Sequence, residues 1–283
     1  MTARQLPARL TALFDRNGLL AMASGAMIAL AFPNSGLSFL AWIGLIPLLI
    51  ALEGSSPRTA FRLGFTCGLC AYAGILYWIN ILITVYGHLP WAVSLVLYLI
   101  LVAWLALFYG LTTLLARAGE RVGIKSAFSL PVIWVAADLL RSFLMTGSPW
   151  AMLGHSQYRT LPLIQIADIC GVFGITLLIV LANVVLYRAL RAVSGAGVPY
   201  PVKSALLLLV LFIAALGEGL GNSNRQYISN LKADLLVYSD KADFVIPSSR
   251  VDRTLSRTLR RVDGVADAGI VAASNTAILL PNN

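Results

Sequence analysis

The densest collection of chemically able side chains in this 283-residue sequence lies in one stretch, Asp138 to Arg159. It reads Asp138-Leu-Leu-Arg141, then Thr146-Gly147-Ser148-Pro149-Trp150, then Gly154-His155-Ser156-Gln157-Tyr158-Arg159. Asp138 and Arg141 are three apart, so on a helix they share a face and can pair, which lowers the cost of holding either charge near lipid. Gly147, Pro149 and Gly154 interrupt a helix. Non-helical backbone at membrane depth is tolerated only where protein or water surrounds it, so a cavity mouth or re-entrant turn is expected. His155 and Ser156 have the residue types of a base and a nucleophile. Adjacent side chains point in different directions, however, and no third orienting group is identifiable, so no catalytic residue is assigned. Trp150 and Tyr158 suit a membrane interface, as anchors or as substrate contacts.

Other marked positions have packing explanations. Gly64, Gly68 and Gly74 precede Tyr77-Trp78, and the Gly64–Gly68 spacing predicts close helix approach. Gly171, Gly174 and Asn183 read the same way, with Asn183 bonding between helices, while Asp168 suits a helix start, where a carboxylate is favourable. Cys67, Cys70 and Cys170 fall inside apolar runs and read as small packing residues. No metal or cofactor is expected.

The elements that must position these residues are long apolar runs. Apolar residues make up 59% of the chain and charged ones 12%, a balance that a soluble core cannot absorb. Seven stretches, about 18–32, 37–52, 63–83, 90–115, 127–145, 162–187 and 204–220, approach the roughly 20 apolar residues a spanning helix needs. An all-α polytopic membrane protein of about seven transmembrane helices is therefore expected, with the second run only partly crossing. The first run reads as an anchor rather than a cleaved signal. Basic residues set the orientation. Eleven of the 21 lysines and arginines lie before the first run or in alternate loops, whereas the intervening loops hold Arg141 and Arg159 and the rest follow Leu220. The N-terminus is thus expected in the cytoplasm and the C-terminus outside. Topology accounts for much of the net charge of +9, and no basic patch interleaved with aromatics points to nucleic acid.

Charge density rises after Gly217–Asn224. A strand-like run at 232–239, an amphipathic helix at Asp252–Val262 and a second strand-like run at 277–281 predict a small external α+β segment. At roughly 60 residues it is marginal as an independent domain. Its Arg257, Arg260 and Arg261 suit a solvated face or a lipid-headgroup or partner contact. The expected division is a cytoplasmic N-terminus (1–17), a transmembrane domain (18–190), a cytoplasmic connector (191–203), a last transmembrane helix (204–220) and the external segment (221–283).

A series of motifs then adds a resemblance. Ala31-Phe-Pro33, Leu40-Ala-Trp42-Ile-Gly-Leu-Ile-Pro47, Gly74-Ile-Leu-Tyr77-Trp78, Arg141 with Thr146-Gly147-Ser-Pro149-Trp150, Gly154-His-Ser156-Gln157 and Gly171-Val-Phe-Gly174 stand in order. Residues from about 20 to 190 thereby resemble the membrane domain of bacterial apolipoprotein N-acyltransferases. The resemblance implies an inner-membrane protein handling phospholipid and lipoprotein in the N-acylation pathway. That family acts through a Cys, Glu and Lys set on an external nitrilase-like domain, which this sequence lacks, since no cysteine follows Cys170. It therefore implies no catalysis by this chain alone. The lipid-binding candidates are Tyr77, Trp78, Asp138, Arg141, Trp150, His155 and Gln157, in a groove beside the loop. The stretch 203–283, through Leu231-Lys-Ala-Asp-Leu-Leu-Val-Tyr-Ser239 and Leu259 to Ala268, resembles ABC permeases of the lipoprotein-release and macrolide-export type. That likeness implies instead a subunit of an ABC-type membrane complex. Two joined gene fragments without activity are a third reading.

Overall fold

The computed structural model describes residues 15–33, 35–124, 126–144, 147–164, 166–196 and 199–214, with two strand segments at 272–273 and 278–279. The chain divides into two units, Met1–Ser223 and Asn224–Asn283. In the second, Ala272 and Ala273 pair antiparallel with Leu279 and Ile278. The strand-like run at 232–239, the helix at 252–262 and the permease-like stretch 231–268 lie outside the described residues.

The first unit is helical. Its elements are α1 (Arg16–Leu30), a 3-10 turn (Ser38–Trp42), α2 (Ile46–Ala51), α3 (Pro57–Ile75), α4 (Tyr77–Val85), α5 (Trp91–Arg121), α6 (Ser126–Phe143), a second 3-10 turn (Leu153–Gln157), α7 (Leu161–Ile164) and α8 (Ala167–Val193). A shorter apolar helix, α9, covers Val202–Ala214. Side-chain caps start two of these helices. The Asp15 carboxylate accepts the Gly18 N–H at 2.7 Å to cap α1, and Ser56 accepts the Thr59 N–H ahead of Pro57 to cap α3.

Among the described residues, two helices, α5 and α8, are long and apolar enough to cross a membrane, and α3 with α4 makes a third if that pair, bent by 50°, is one broken span. At about 1.5 Å per residue, α5 runs roughly 46 Å, beyond the roughly 30 Å of bilayer hydrocarbon. The other runs are shorter or broken. α1 has 15 residues, and the 37–52 run divides at residues 43–45, around Gly44, into a 3-10 turn and the six-residue α2, whose first turn carries Pro47.

Glycines set the closest approaches. A Cβ on Gly64 would lie 2.7 Å from the Tyr109 carbonyl oxygen, and one on Gly68 would lie 2.8 Å from the Ala106 Cα, so α3 and α5 pack backbone to backbone. The Thr113 hydroxyl reaches across to the Ala60 carbonyl at 2.8 Å, and the Tyr98 hydroxyl to Ala73 at 2.7 Å. Asn183 bonds between elements as its type suggests. Its amide nitrogen donates to the Ala41 and Ile179 carbonyls and its oxygen accepts the Leu45 N–H, all at 2.8 Å, satisfying backbone where α2 begins. Two packing expectations need correction. Gly171 is a break, with φ of +61° inside α8, and Cys170 is exposed, whereas Cys67 is fully buried.

At one end of the bundle, the Glu53 carboxylate accepts from the Tyr187 hydroxyl and pairs with Arg191, each at 2.8 Å. There Arg117 donates to the Ser55 carbonyl at 3.1 Å and pairs with Glu120. The 53–56 turn is thereby tied to the ends of α5 and α8.

Candidate functional site

The site is built from the end of α6. Arg141 is not a loop residue, as counting charges by loops suggests; it sits inside the last turn of α6 and is 1% exposed. Its Nε donates to the Asp138 carboxylate at 2.8 Å, the i, i+3 pairing that the spacing predicts. Its Nη1 donates to the Trp150 carbonyl at 2.8 Å and, less closely, to the Ser148 carbonyl at 3.3 Å. The guanidinium thus fastens the following loop to the helix. Behind it, Arg141 lies 5.8 Å from the Tyr72 ring centroid, and Tyr72, Tyr109 and Trp134 form an edge-on aromatic series across α3, α5 and α6.

The loop itself is irregular but bonded along its length. Gly147 has φ of +85°, and Ala151, without a glycine's freedom, has φ of +55°. The backbone N–H of Met152 donates to Nδ1 of His155 at 3.1 Å, while the His155 N–H donates back to the Met152 carbonyl at 2.9 Å. Gly154 donates to the Thr176 hydroxyl at 3.0 Å, in a space where a Cβ would lie 2.6 Å from the Val172 carbonyl oxygen. Gln157 donates to the Ser38 carbonyl at 3.0 Å and accepts from the Trp42 indole at 3.1 Å. An irregular loop packed on α8 and on the Ser38–Trp42 segment satisfies backbone groups in this way.

Between this loop, the end of α1 and the α3–α4 bend lies a cavity of about 600 Å³. Tyr77 and Trp78 wall it on one side, Trp150, Ala151 and His155 on another, and Leu30, Phe32 and Pro33 on a third. The Trp78 and Trp150 ring centroids are 6.1 Å apart. Four of the seven candidates, Tyr77, Trp78, Trp150 and His155, therefore come together at the cavity. Asp138 and Arg141 stand behind the loop and hold it. Gln157 is a correction, because it is 2% exposed and committed to Ser38 and Trp42, so it braces the loop and does not line the cavity. The α1 end is the wall that residue chemistry misses, although Ala31-Phe-Pro33 stands first among the motifs.

Ser156 and His155 do not form a reactive pair. The buried Ser156 hydroxyl donates to the Leu153 carbonyl at 2.6 Å, and His155 Nδ1 is taken by Met152. Partial burial, and then the Arg141 charge, push the His155 imidazole below its ordinary value of 6.5. Among the described residues, no group of three or more His, Cys, Asp or Glu side chains could hold a metal ion.

A helical unit with membrane-length apolar helices defines an integral membrane protein, and within it a loop pinned by Arg141 borders an aromatic-walled cavity. Residues 24–185 match the Apolipoprotein N-acyltransferase N-terminal domain, and the chain belongs to that family. It is 54% identical over 205 residues to the apolipoprotein N-acyltransferase of Geobacter metallireducens, covering 72% of this chain and 39% of that protein. With the Pasteurella multocida enzyme of the same name it shares 30% identity over 219 residues, 77% of this chain and 41% of the relative. The chain thus spans about two fifths of the length of these relatives. These similarities lend no support to the permease-like reading of the chain after residue 203.

Proposed function

We propose that this chain is the membrane-embedded, substrate-holding part of a lipoprotein N-acylation system, and that its cavity takes an acyl chain of a phospholipid. The cavity carries this reading: about 600 Å³ of mostly apolar space, faced by Tyr77, Trp78 and Trp150 and bounded by a loop rooted on a buried arginine. Its size falls in the roughly 300–1,000 Å³ range of small-molecule sites. A lipid tail leaving the bilayer gains little from apolar burial, because lipid is already apolar. Selection must then come from aromatic shape and from polar groups at the mouth, and those are what the loop supplies. Trp150 and Trp78 contact the chain; Asp138, Arg141 and Gln157 keep the loop in place. The lipoprotein enters as the acceptor named by the relatives, and the acyl-transfer step falls to groups beyond the described cavity.

The topology proposed with this function has seven helical runs in the inner membrane, the N-terminus cytoplasmic and residues 221–283 external. The gathering of the 53–56 turn, Arg117 and Arg191 at one end of the bundle supports it, since basic residues mark the cytoplasmic side. The ABC-type transport reading rests on residues outside the described structure, and no observation favours it.

Native mass spectrometry of the full chain from a mild detergent tests the function. Wild type should retain phospholipid, and Trp78→Ala with Trp150→Ala should lose it. Equal retention by both proteins would refute the cavity as the lipid site.

A further inference from the structure

The cavity wall has a chemical asymmetry. Among the described residues that line it, none is a carboxylate, a lysine or an arginine. Arg141 lies nearby but does not line the cavity: its Nε is bonded to Asp138, its Nη1 to the Ser148 and Trp150 carbonyls, and its Nη2 is buried without a hydrogen-bond partner among the described residues. The Ser35 hydroxyl is committed to the Leu30 and Phe32 carbonyls. His155 is different. Because Nδ1 accepts the Met152 N–H, it must carry a lone pair, and the single proton of the neutral imidazole therefore sits on Nε2. The reciprocal bond from the His155 N–H to the Met152 carbonyl holds the ring in the turn, and Nε2 is at the ring edge remote from that bond. Beside the indole N–H groups of Trp78 and Trp150, the wall thus offers one imidazole N–H of fixed tautomer, on a ring that the Met152–His155 bonds hold in the turn.

On the reading that the cavity takes a phospholipid chain, we propose that His155 Nε2–H donates a hydrogen bond to the ester carbonyl oxygen of that chain. An ester carbonyl is a neutral acceptor that lies where the hydrocarbon tail begins, so it fits a mouth with a donor and no cation. A phosphate would call for a charged partner, since charge-assisted bonds from arginine or lysine are the ones that hold it, and the wall has none. The neutral state of the imidazole is supported by its partial burial and by the nearby Arg141 charge, both of which oppose a second proton. His155 thereby sets how deep the chain enters, and chains attached without a carbonyl lose that register.

The test compares two phosphatidylethanolamines with identical chains, one ester-linked and one ether-linked, competing for the purified full-length protein in mild detergent, with retention read by native mass spectrometry. One hydrogen bond predicts a roughly three- to tenfold preference for the ester lipid. His155→Phe keeps the ring and should abolish the preference. His155→Gln places an amide N–H near the position of Nε2 and should retain part of it, whereas His155→Asn should not. Equal retention of ester and ether lipid by wild type overturns the hydrogen bond while leaving the cavity reading intact. Loss of both lipids on Trp78→Ala with Trp150→Ala, alongside an ester preference in wild type, supports both. Retention of neither lipid by wild type overturns both.

Discussion

The buried Asp138–Arg141 pair makes the sharpest prediction, because it separates stability from site geometry. Arg141→Met leaves the Asp138 carboxylate, 3% exposed, without its ion partner, and removes the donor from the Trp150 and Ser148 carbonyls. Breaking a buried pair from one side costs about 3–5 kcal/mol, and the orphaned carbonyls add to that. Asp138→Leu combined with Arg141→Met removes both charges and should recover most of the ion-pair share, because two matched apolar groups replace two charges. The remaining loss, about 1–3 kcal/mol, belongs to the carbonyls at the loop. A coupling energy above about 2 kcal/mol is therefore expected from the double-mutant cycle, measured by denaturant unfolding in micelles. Lipid retention should not recover with stability, because Trp150 has lost its anchor in both variants that lack Arg141. Costs that add within about 0.5 kcal/mol would refute the pairing argument, and a double variant that holds lipid like wild type would refute the role of Arg141 in holding the loop.

Three further expectations follow from single positions. Gly64→Ala should destabilise by about 1–3 kcal/mol in the same assay, since its Cβ meets the Tyr109 carbonyl of α5 and backbone must separate; a neutral result would mean that α3 and α5 are not in backbone contact. Ala151→Gly should be close to neutral, relief of roughly 1 kcal/mol of left-handed strain being offset by a similar entropic cost in the unfolded chain, whereas Ala151→Val should lose stability. The imidazole of His155 is held below 6.5, so the unfolded chain takes up the proton first as the pH falls. Its share of stability is thus complete above about 6.5 and declines below it. A pH series of unfolding midpoints should show this component in wild type and not in His155→Phe, with Arg141 charged throughout; identical pH profiles would refute it.

The membrane class is legible in composition, because apolar runs of this length have no soluble explanation, and each of the seven runs contains helix. Where helices stop is less legible. The α3–α4 bend at Leu76 has no proline to announce it, and the α5 length is hidden by a polar end, Ala-Arg-Ala-Gly-Glu-Arg, that prolongs a helix past its apolar run. The site divides the same way. Spacing alone pairs Asp138 with Arg141, since i and i+3 share a helical face whatever surrounds them. Spacing says nothing about where the rest of a five-donor guanidinium points, and here Nη1 turns to carbonyls nine and seven residues ahead while Nη2 is buried without a hydrogen-bond partner among the described residues. Gln157 fails for the complementary reason: a polar residue beside a cavity loop has two outlets, ligand or backbone, and only the tertiary position of Ser38 and Trp42 decides between them.

That decision has a physical logic that unites the site. An irregular loop in a low-dielectric setting must find a partner for its backbone polar groups, and each side chain spent on that task is withdrawn from ligand chemistry. Arg141, Thr176 and Gln157 are spent so, and the Ser156 hydroxyl is bonded within its own turn. What faces the cavity is aromatic surface, with the polar edges of Tyr77, Trp78 and Trp150, and the imidazole of His155. On the proposed reading such a wall aligns an acyl chain, while His155 Nδ1 and the Ser156 hydroxyl are already bonded within the turn, so the same bonds that make the loop rigid withdraw these two groups from attack on an ester. Rigidity and chemical quiet are then two consequences of one arrangement, and restoring a free nucleophile in this loop would require giving up one of the bonds that hold it.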